Sequence, residues 1–323
     1  MALLEVRDLS IDIAGIKPLD GIGFAVDKGQ ILGLVGESGS GKSLTALTVM
    51  GLLPLIGGRI ERGSIRFDGT ELNGLPEADF RRLRGRRIAF ITQNPMTSLD
   101  PVMRVGAQID QVSRLHLGLD AKAAEARSIA LMERLRIPAA ATVYHHYPHQ
   151  LSGGMKQRIV IAMALAADPD LIVADEPTTA LDVTIQAQIV QLLVELVRDR
   201  GVALILITHD MGVVAQACDR VVVLYAGRVA ESHDVKAIFS VPRHPYTQAL
   251  IRCIPREGMA PGSLAGIPGA VPSVASYPSG CRFHPRCGRS GPPCAGAVPR
   301  LERLPSGAEI ACHFAEAPEA AHG

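Results

Sequence analysis

The stretch that decides the fold is "GESGSGKS", residues 36–43, which follows the apolar run "ILGLV". It fits the pattern G-x-x-x-x-G-K-[ST], in which glycines let backbone N–H groups turn toward phosphate oxygens at the start of a helix. Lys42 is expected to reach the β- and γ-phosphates and Ser43 to hold Mg²⁺. The residues predicted to line the phosphate site are Gly36, Glu37, Ser38, Gly39, Ser40, Gly41, Lys42, Ser43 and Leu44.

Outside this loop, short apolar runs alternate with helix-length segments. The runs are "ILGLVG" (31–36), "RIAFIT" (87–92), "LIVAD" (171–175), "ALILIT" (203–208) and "RVVVLYAG" (220–227). Continuous apolar runs of this length predict parallel strands buried on both faces, and hence an α/β fold. The first 35 residues alternate over a turn and predict a small antiparallel β-subdomain. Residues 105–167 contain amphipathic stretches only, which predicts an inserted helical subdomain.

Composition and charge exclude several classes of function. Lys and Arg number 33 against 32 Asp and Glu, so the chain has no overall positive electrostatic field that would attract nucleic acid. Nucleic acid is therefore not expected as a partner. The N-terminus lacks the pattern of a signal peptide, and no apolar run reaches the length of a membrane span. We therefore expect a soluble, cytosolic chain that would need other subunits to work at a membrane.

The run "LIVADEP" (171–177) ends in two acids at the tip of a predicted strand. Asp175 is placed to position Mg²⁺ through water, and Glu176 to act as general base on an attacking water. Acids at strand ends also occur as helix caps. A phosphate loop earlier in the chain favours the catalytic interpretation.

Further motifs carry a resemblance to a family. "LSGGMKQR" (151–158) resembles the signature sequence of ATP-binding cassette (ABC) proteins, and Gln93 in "ITQNP", "ALD" (180–182) and His209 in "ITHD" are similar to that family's Q-loop, D-loop and switch histidine. The resemblance implies a P-loop ABC ATPase fold with an N-terminal antiparallel β-subdomain, an inserted helical subdomain of about 95–167 and a loop-rich C-terminal extension.

The resemblance also implies roles. Gln93 would contact Mg²⁺ and water, and His209 the γ-phosphate. Two ATPase domains would pack head to tail, so that each signature closes over the ATP of its partner. The residues implied to face a nucleotide in this way are Ser152, Gly153, Gly154 and Asp182.

One position departs from the family pattern. The aromatic residue that stacks on adenine in this family is matched here by Ile13, in "LSIDIAG". Isoleucine buries apolar area but has no π-face. Base selectivity is therefore in question at this position, whereas the phosphate chemistry is not.

The C-terminal part has a different composition. Thirteen of the 22 prolines follow residue 241, which predicts a domain of 1–255 and a Cys- and Pro-rich extension of 256–323. The cysteines of this extension form C-x₅-C-x₆-C-x₁₇-C: Cys281, Cys287, Cys294 and Cys312. Clustered thiols in a reducing compartment predict a metal site, and the spacing leaves zinc, an iron–sulfur cluster and regulatory thiols open. Cys218 and Cys253 stand apart and are expected to be ordinary buried thiols.

The extension also resembles that of ATPase subunits in dipeptide and oligopeptide importers, through "HPYTQAL" (244–250), "GCRFHPRC" (280–287) and "ACH" (311–313). In that subfamily the cysteines can hold a [4Fe–4S] cluster. The resemblance implies a Mg²⁺-dependent ATPase at the cytoplasmic face of the inner membrane, a second related ATPase, two transmembrane permease subunits and an external solute-binding protein. The alternatives are another cargo such as nickel or glutathione, a non-hydrolysing regulatory partner, and a soluble cassette ATPase of nucleic-acid repair or translation.

Overall fold

The computed structural model describes residues 2–178, 182–254 and 266–315. The chain divides into two compact units. The first unit takes its described residues from 1–3, 26–31 and 67–207, and the second takes them from 4–25, 32–66 and 208–323. Each unit is described separately below.

The secondary structure agrees with a mixed α/β chain. The strands are β1 (Leu4–Ile13), β2 (Ile16–Val26), β3 (Ile31–Val35), β4 (Gly58–Phe67), β5 (Thr70–Glu71), β6 (Ile88–Ile91), β7 (Leu171–Asp175), β8 (Ala203–Thr208), β9 (Arg220–Tyr225), β10 (Arg228–Asp234), β11 (Glu302–Arg303) and β12 (Glu309–Ile310). The α-helices are α1 (Lys42–Val49), α2 (Glu77–Leu83), α3 (Pro95–Ser98), α4 (Val105–Leu117), α5 (Ala121–Arg134), α6 (Ala140–Val143), α7 (Gly153–Leu165), α8 (Val183–Arg200), α9 (Met211–Ala217), α10 (Val235–Ser240), α11 (Pro245–Arg252) and α12 (Pro292–Gly296).

In the first unit, β7 lies between β6 and β8 and pairs with both in parallel. Every residue of β7 and β8 is buried, as expected for strands covered on both faces. Helices α3 to α7 follow β6 and precede β7, which confirms the inserted helical subdomain. Asp120 starts α5 by accepting the N–H of Ala123 at 2.8 Å, and α4 ends at Gly118 in the left-handed conformation.

The second unit begins with the predicted antiparallel subdomain. Strand β1 lies between β2 and β4, and the β1–β2 turn is the two residues Ala14 and Gly15, with φ of 52° and 80°. Left-handed conformations at both turn positions are typical of a tight hairpin. Farther along, β3 pairs in parallel with β9, which pairs antiparallel with β10. The phosphate loop therefore follows a strand of this parallel pair, and α1 begins where the loop ends.

The C-terminal part of this unit is built mostly of loops. Strand β12 pairs antiparallel with both β10 and β11, and α12 is a single short helix. The buried Phe283 packs edge-on against Tyr225 and obliquely against Tyr246, with ring centroids 5.0 and 5.3 Å apart. The predicted boundary near residue 255 falls at the edge of 255–265, which lie outside the described residues, and it stays a prediction.

Candidate functional site

The phosphate loop is a tight turn that requires its first and last glycines. Gly36 has φ of 151°, and a Cβ there would lie 2.2 Å from the carbonyl oxygen of Leu224. Gly41 has φ of 101°, and its Cβ would lie 2.4 Å from Leu19 Cδ2. Real Cβ atoms do not approach other atoms so closely, so a larger residue at Gly36 would have to displace backbone. At Gly41 it would have to displace the Leu19 side chain and adopt a strained positive φ. The sequence motif and the backbone geometry thus agree.

Lys42 is the first residue of α1 and is only 5% exposed. Its Nζ donates hydrogen bonds to the carbonyl oxygens of Gly36 at 2.8 Å and of Glu37 at 3.0 Å. The ammonium group is thus held by the loop that it is predicted to serve. A buried lysine of this kind supplies a fixed positive charge at the start of a helix, where an anion is already favoured.

Two observations show that the loop fits a phosphate group. Helix α1 starts without a side-chain cap and with no acidic residue in its first turn. The hydroxyl oxygen of Ser40 is buried and has no hydrogen-bond partner among the described residues. Backbone N–H groups at an uncapped helix start and a buried hydroxyl are groups that phosphate oxygens satisfy.

The acidic strand tip and the Q-loop glutamine meet in the first unit. Asp175 ends β7 and is 7% exposed, while Glu176 has φ of 45°. A left-handed conformation is costly for a glutamate and is common at functional sites. The Glu176 N–H donates to the carbonyl oxygen of Ile207 at 2.9 Å, and Gln93 Nε2 donates to Glu176 Oε2 at 3.1 Å. The structure therefore brings together Gln93 and Glu176, which the sequence predicted separately.

The signature motif opens α7. Ser152 Oγ accepts the N–H of Met155 at 3.4 Å, and both Ser152 and Gly153 are exposed. At Gly154 a Cβ would lie 3.0 Å from Ile185 Cγ2 of α8, so a side chain there would press on the neighbouring helix. The motif thus presents a helix start and an exposed hydroxyl at the surface.

Two further predicted residues lie at element junctions. His209 is exposed and follows β8, and the next residue, Asp210, caps α9 by accepting the N–H groups of Gly212 and Val213. Asp182 caps α8 by accepting the N–H of Ile185 at 3.0 Å. The other two D-loop residues, 180 and 181, lie outside the described residues. Ile13, the predicted adenine-facing residue, is half-buried at the end of β1 and borders Gly58.

The prediction of a metal centre in the extension is wrong, both for a [4Fe–4S] cluster and for zinc. The four cysteines concerned are Cys281, Cys287, Cys294 and Cys312, and their thiols are free. In the part of the chain that the structure describes, no three His, Cys, Asp or Glu side chains are grouped so that they could hold a metal ion.

The physical reason is geometric, because a metal centre needs three or four ligand side chains that converge on one point. Burial raises the pKa of the Cys281, Cys287 and Cys312 thiols, and neighbouring cysteines add to the shift. Aromatic contacts of Phe283 with Tyr225 and Tyr246 connect the extension to β9 and α11. Of the two isolated cysteines, Cys218 is buried as expected and Cys253 only half-buried.

Sequence reasoning missed one residue at the phosphate loop. Arg286 donates both terminal nitrogens to the Glu37 carboxylate, with N–O distances of 2.7 and 3.0 Å. The only local signal was an acidic residue inside a loop that must accept an anion. Nothing in the sequence indicated which of the basic residues would neutralise it.

Comparison with known proteins agrees with this geometry. Residues 19–179 match the family model described as ABC transporter, and residues 230–294 match the model described as the C-terminal region of oligopeptide and dipeptide transporters. The chain is 45% identical to the dipeptide transport ATP-binding protein DppD of Escherichia coli over 97% of both chains. It is 46% identical to the oligopeptide transport ATP-binding protein OppD of Salmonella typhimurium, over 96% of this chain and 93% of that one.

Solved structures give the same class. A dimeric ATP-binding cassette in a post-hydrolysis state, bound to ADP and Pi, is similar with a TM-score of 0.64 and 25% identity, over 72% of this chain and 98% of that one. The protein cbiO1 of Clostridium perfringens, part of an ABC transporter complex, has a TM-score of 0.64 and 27% identity, over 74% and 91%.

Fold and phosphate loop together define an ABC-type ATPase, which confirms the fold class and the resemblance drawn from the motifs. Within that class, the chain belongs to the family of ABC transporter ATP-binding proteins that includes DppD and OppD. Among its described residues no helix has the length and apolar character needed to cross a membrane.

Proposed function

We propose that this chain binds and hydrolyses ATP to drive the import of dipeptides or oligopeptides across the cytoplasmic membrane. The observation that carries the proposal is the extent of the likeness. It spans 97% of the chain, and a separate match covers the C-terminal region characteristic of peptide transporters. The relatives compared above are dipeptide and oligopeptide transport proteins, and the proposed cargo of this chain is inferred from that likeness.

In the proposed reaction, water attacks the γ-phosphorus of ATP, the bond to the β-γ bridging oxygen breaks, and ADP and phosphate leave. Lys42 and the N–H groups of the loop hold the phosphate oxygens, with Ser40 as a further donor. Mg²⁺ supplies positive charge to these oxygens when bound. The hydroxyl, carboxylate and amide oxygens of Ser43, Asp175 and Gln93 fit a hard cation, and these residues would hold it.

Glu176 is assigned the role of general base. Its carboxylate accepts the proton that the attacking water loses, and Gln93 orients that carboxylate through the 3.1 Å hydrogen bond. His209 is assigned the γ-phosphate contact, and its exposure after β8 leaves the ring accessible to a ligand. Ile13 is assigned the apolar contact with the base.

The exposure of the signature motif supports a role in pairing with a second ATPase subunit. Ser152, Gly153 and Gly154 would cover the ATP bound by a second, related ATPase subunit, with Asp182 at the same junction. Binding energy for ATP would then favour the paired state, and hydrolysis would release it. The proposed complex adds two permease subunits and an external solute-binding protein. The chain would sit peripherally on the cytoplasmic face of the membrane.

The decisive experiment reconstitutes the full-length chain with its second ATPase, permease subunits and binding protein in vesicles. Uptake of labelled dipeptides and longer peptides is measured with ATP on the cytoplasmic side, beside labelled nickel and glutathione. We expect peptide uptake, and its loss in Lys42→Ala, because that variant removes the buried ammonium group of the loop. Uptake of nickel or glutathione alone would overturn the cargo, and uptake unaffected by Lys42→Ala would overturn the assigned site.

A further inference from the structure

The phosphate loop is tied to the C-terminal region at Glu37. Its backbone N–H donates to the hydroxyl oxygen of Tyr246 at 2.9 Å. Its carboxylate receives both terminal nitrogens of Arg286, at 2.7 and 3.0 Å. Its carbonyl oxygen accepts from Lys42 Nζ at 3.0 Å. Every polar group of this loop residue is therefore held, two of them by residues more than two hundred positions away.

Arg286 is fully committed to this arrangement. Besides Glu37, its guanidinium donates to the carbonyl oxygens of Ile267 and Pro268 and to the hydroxyl of Tyr225. These five hydrogen bonds use all five N–H groups that a guanidinium has. The side chain is 5% exposed and that of Glu37 is 29% exposed. Burial lowers the pKa of Arg286, but the bonded Glu37 carboxylate outweighs it and raises the pKa overall.

Tyr246 is equally well fixed. It is fully buried, and its ring packs edge-on against Tyr225 with centroids 4.6 Å apart. Tyr246 is the second residue of α11, and His244 Nδ1 accepts its N–H at 3.0 Å. Such a hydroxyl cannot move toward a ligand, so its contact with Glu37 is a constraint on the loop.

We propose that Arg286 and Tyr246 are positioning residues for the phosphate loop, through which the C-terminal region sets the affinity of this subunit for ATP. Arg286 neutralises the carboxylate of Glu37, which would otherwise repel the triphosphate. Tyr246 holds the N–H of Glu37, and so the peptide unit at the loop entry stays in one orientation. Since the Glu37 carbonyl also holds Lys42, the effect reaches the residue assigned to the phosphates. The inference rests on the proposed role of the loop in binding ATP.

The test measures nucleotide affinity of the full-length chain and KM for ATP of the assembled transporter. For Arg286→Ala we expect KM to rise about 10-fold, because a charged buried hydrogen bond is lost and a carboxylate is left unpaired. The double variant Glu37→Gln/Arg286→Ala should recover to within about 3-fold of wild type, because the unpaired charge is gone. Tyr246→Phe should raise KM by about 5-fold with its ring packing kept.

A purely structural role for Arg286 gives a different pattern, because deleting Glu37's charge would not rescue lost packing. Arg289→Ala is the matched control, since it removes the same charge from the same segment and its guanidinium donates to Phe314 instead. It should leave KM unchanged. If Arg286→Ala fails to fold, Arg286→Gln, which removes the charge with a smaller loss of side-chain volume, and Tyr246→Phe carry the test, and wild-type affinity in both overturns the proposal.

The Lys42→Ala variant separates the two levels of inference. If Lys42→Ala loses ATP binding while Arg286→Ala, Tyr246→Phe and the double variant all keep wild-type KM, the loop binds ATP and the positioning proposal is overturned alone. If Lys42→Ala itself binds ATP normally, the proposed site fails, and the positioning proposal fails with it.

Discussion

The phosphate loop and the signature motif are both glycine-rich turns at the start of a helix, yet they differ in burial and in the contacts that hold them. In the loop, Lys42 is buried, and Glu37 is held by Arg286 and Tyr246. In the signature, Ser152 and Gly153 are exposed, and the cap bond to Met155 is long at 3.4 Å. The phosphate loop is thus held by contacts within the chain, whereas the signature is exposed and is proposed to cover the ATP of another subunit. Binding and turnover should therefore respond to different substitutions.

The largest effect is expected at Glu176, which belongs to neither turn. Glu176→Gln keeps the shape of the side chain and removes its ability to accept a proton. We expect the rate of ATP hydrolysis by the assembled transporter to fall by roughly 10²- to 10⁴-fold, the usual contribution of a general base, with ATP affinity retained. Phosphate release and equilibrium nucleotide binding measure the two quantities separately.

Glu133→Gln on α5 is the matched control, because it removes an exposed carboxylate from the same unit. Its rate should equal that of wild type. Undiminished hydrolysis in Glu176→Gln would contradict the assigned base. Hydrolysis absent in the wild-type complex as well would favour the non-hydrolysing regulatory partner.

The second prediction concerns His244, whose ring accepts the N–H of Tyr246, and the dependence of the free energy of unfolding on pH. Burial lowers the pKa of His244 to about 4, opposed by its hydrogen bond to the backbone of Ala311 and assisted by the nearby Arg289. In the unfolded chain the His244 ring binds a proton near pH 6.5, whereas in the folded chain it does so only near pH 4. The His244 contribution is thus complete above about pH 6.5, and below it the free energy of unfolding falls by about 1.4 kcal/mol per pH unit until about pH 4.

His244→Asn should flatten this slope, because asparagine can still cap α11 without titrating. The neighbouring Glu231, whose pKa is raised by burial, acts in the opposite direction and is present in both proteins, so the difference between them isolates His244. His149→Asn, at an exposed position, controls for the loss of a histidine. Denaturant unfolding between pH 4 and 7 provides the measurement, and equal slopes in wild type and His244→Asn would refute the assignment.

The contrast between the two turns also explains what could be predicted from sequence. Strands β3, β6, β7, β8 and β9 were all predicted, because a buried parallel strand leaves a continuous apolar run in the sequence. The phosphate loop was predicted because its glycines, lysine and serine lie within eight consecutive residues. Both signals are local.

Long-range pairing leaves no such local pattern. The Glu37–Arg286 pair joins residues 249 positions apart, and the choice of Arg286 depends on how the loops of the extension fold. The metal prediction was wrong for the same reason, because the spacing of Cys281, Cys287, Cys294 and Cys312 in the sequence does not show whether their thiols converge as ligands. The aromatic packing of Phe283 was missed for the same reason, since its partners Tyr225 and Tyr246 come from a strand and a helix elsewhere in the chain.

The smallest effect is expected at the signature itself. Ser152→Ala removes a cap whose contribution to helix stability is about 1 kcal/mol, so the isolated chain should fold and bind ATP as wild type does. In the assembled transporter the exposed hydroxyl is assigned to a neighbour's nucleotide, and we expect hydrolysis to fall about 5-fold, as for the loss of one hydrogen bond. Asp120→Ala is the matched control, because it removes the cap of α5 in the same unit but no residue of the signature. A defect confined to the Ser152 variant, and to the assembled state, supports the open role of this turn. Equal defects in both variants would mean that helix stability alone matters, and the contrast between a loop held within the chain and an exposed signature would be lost.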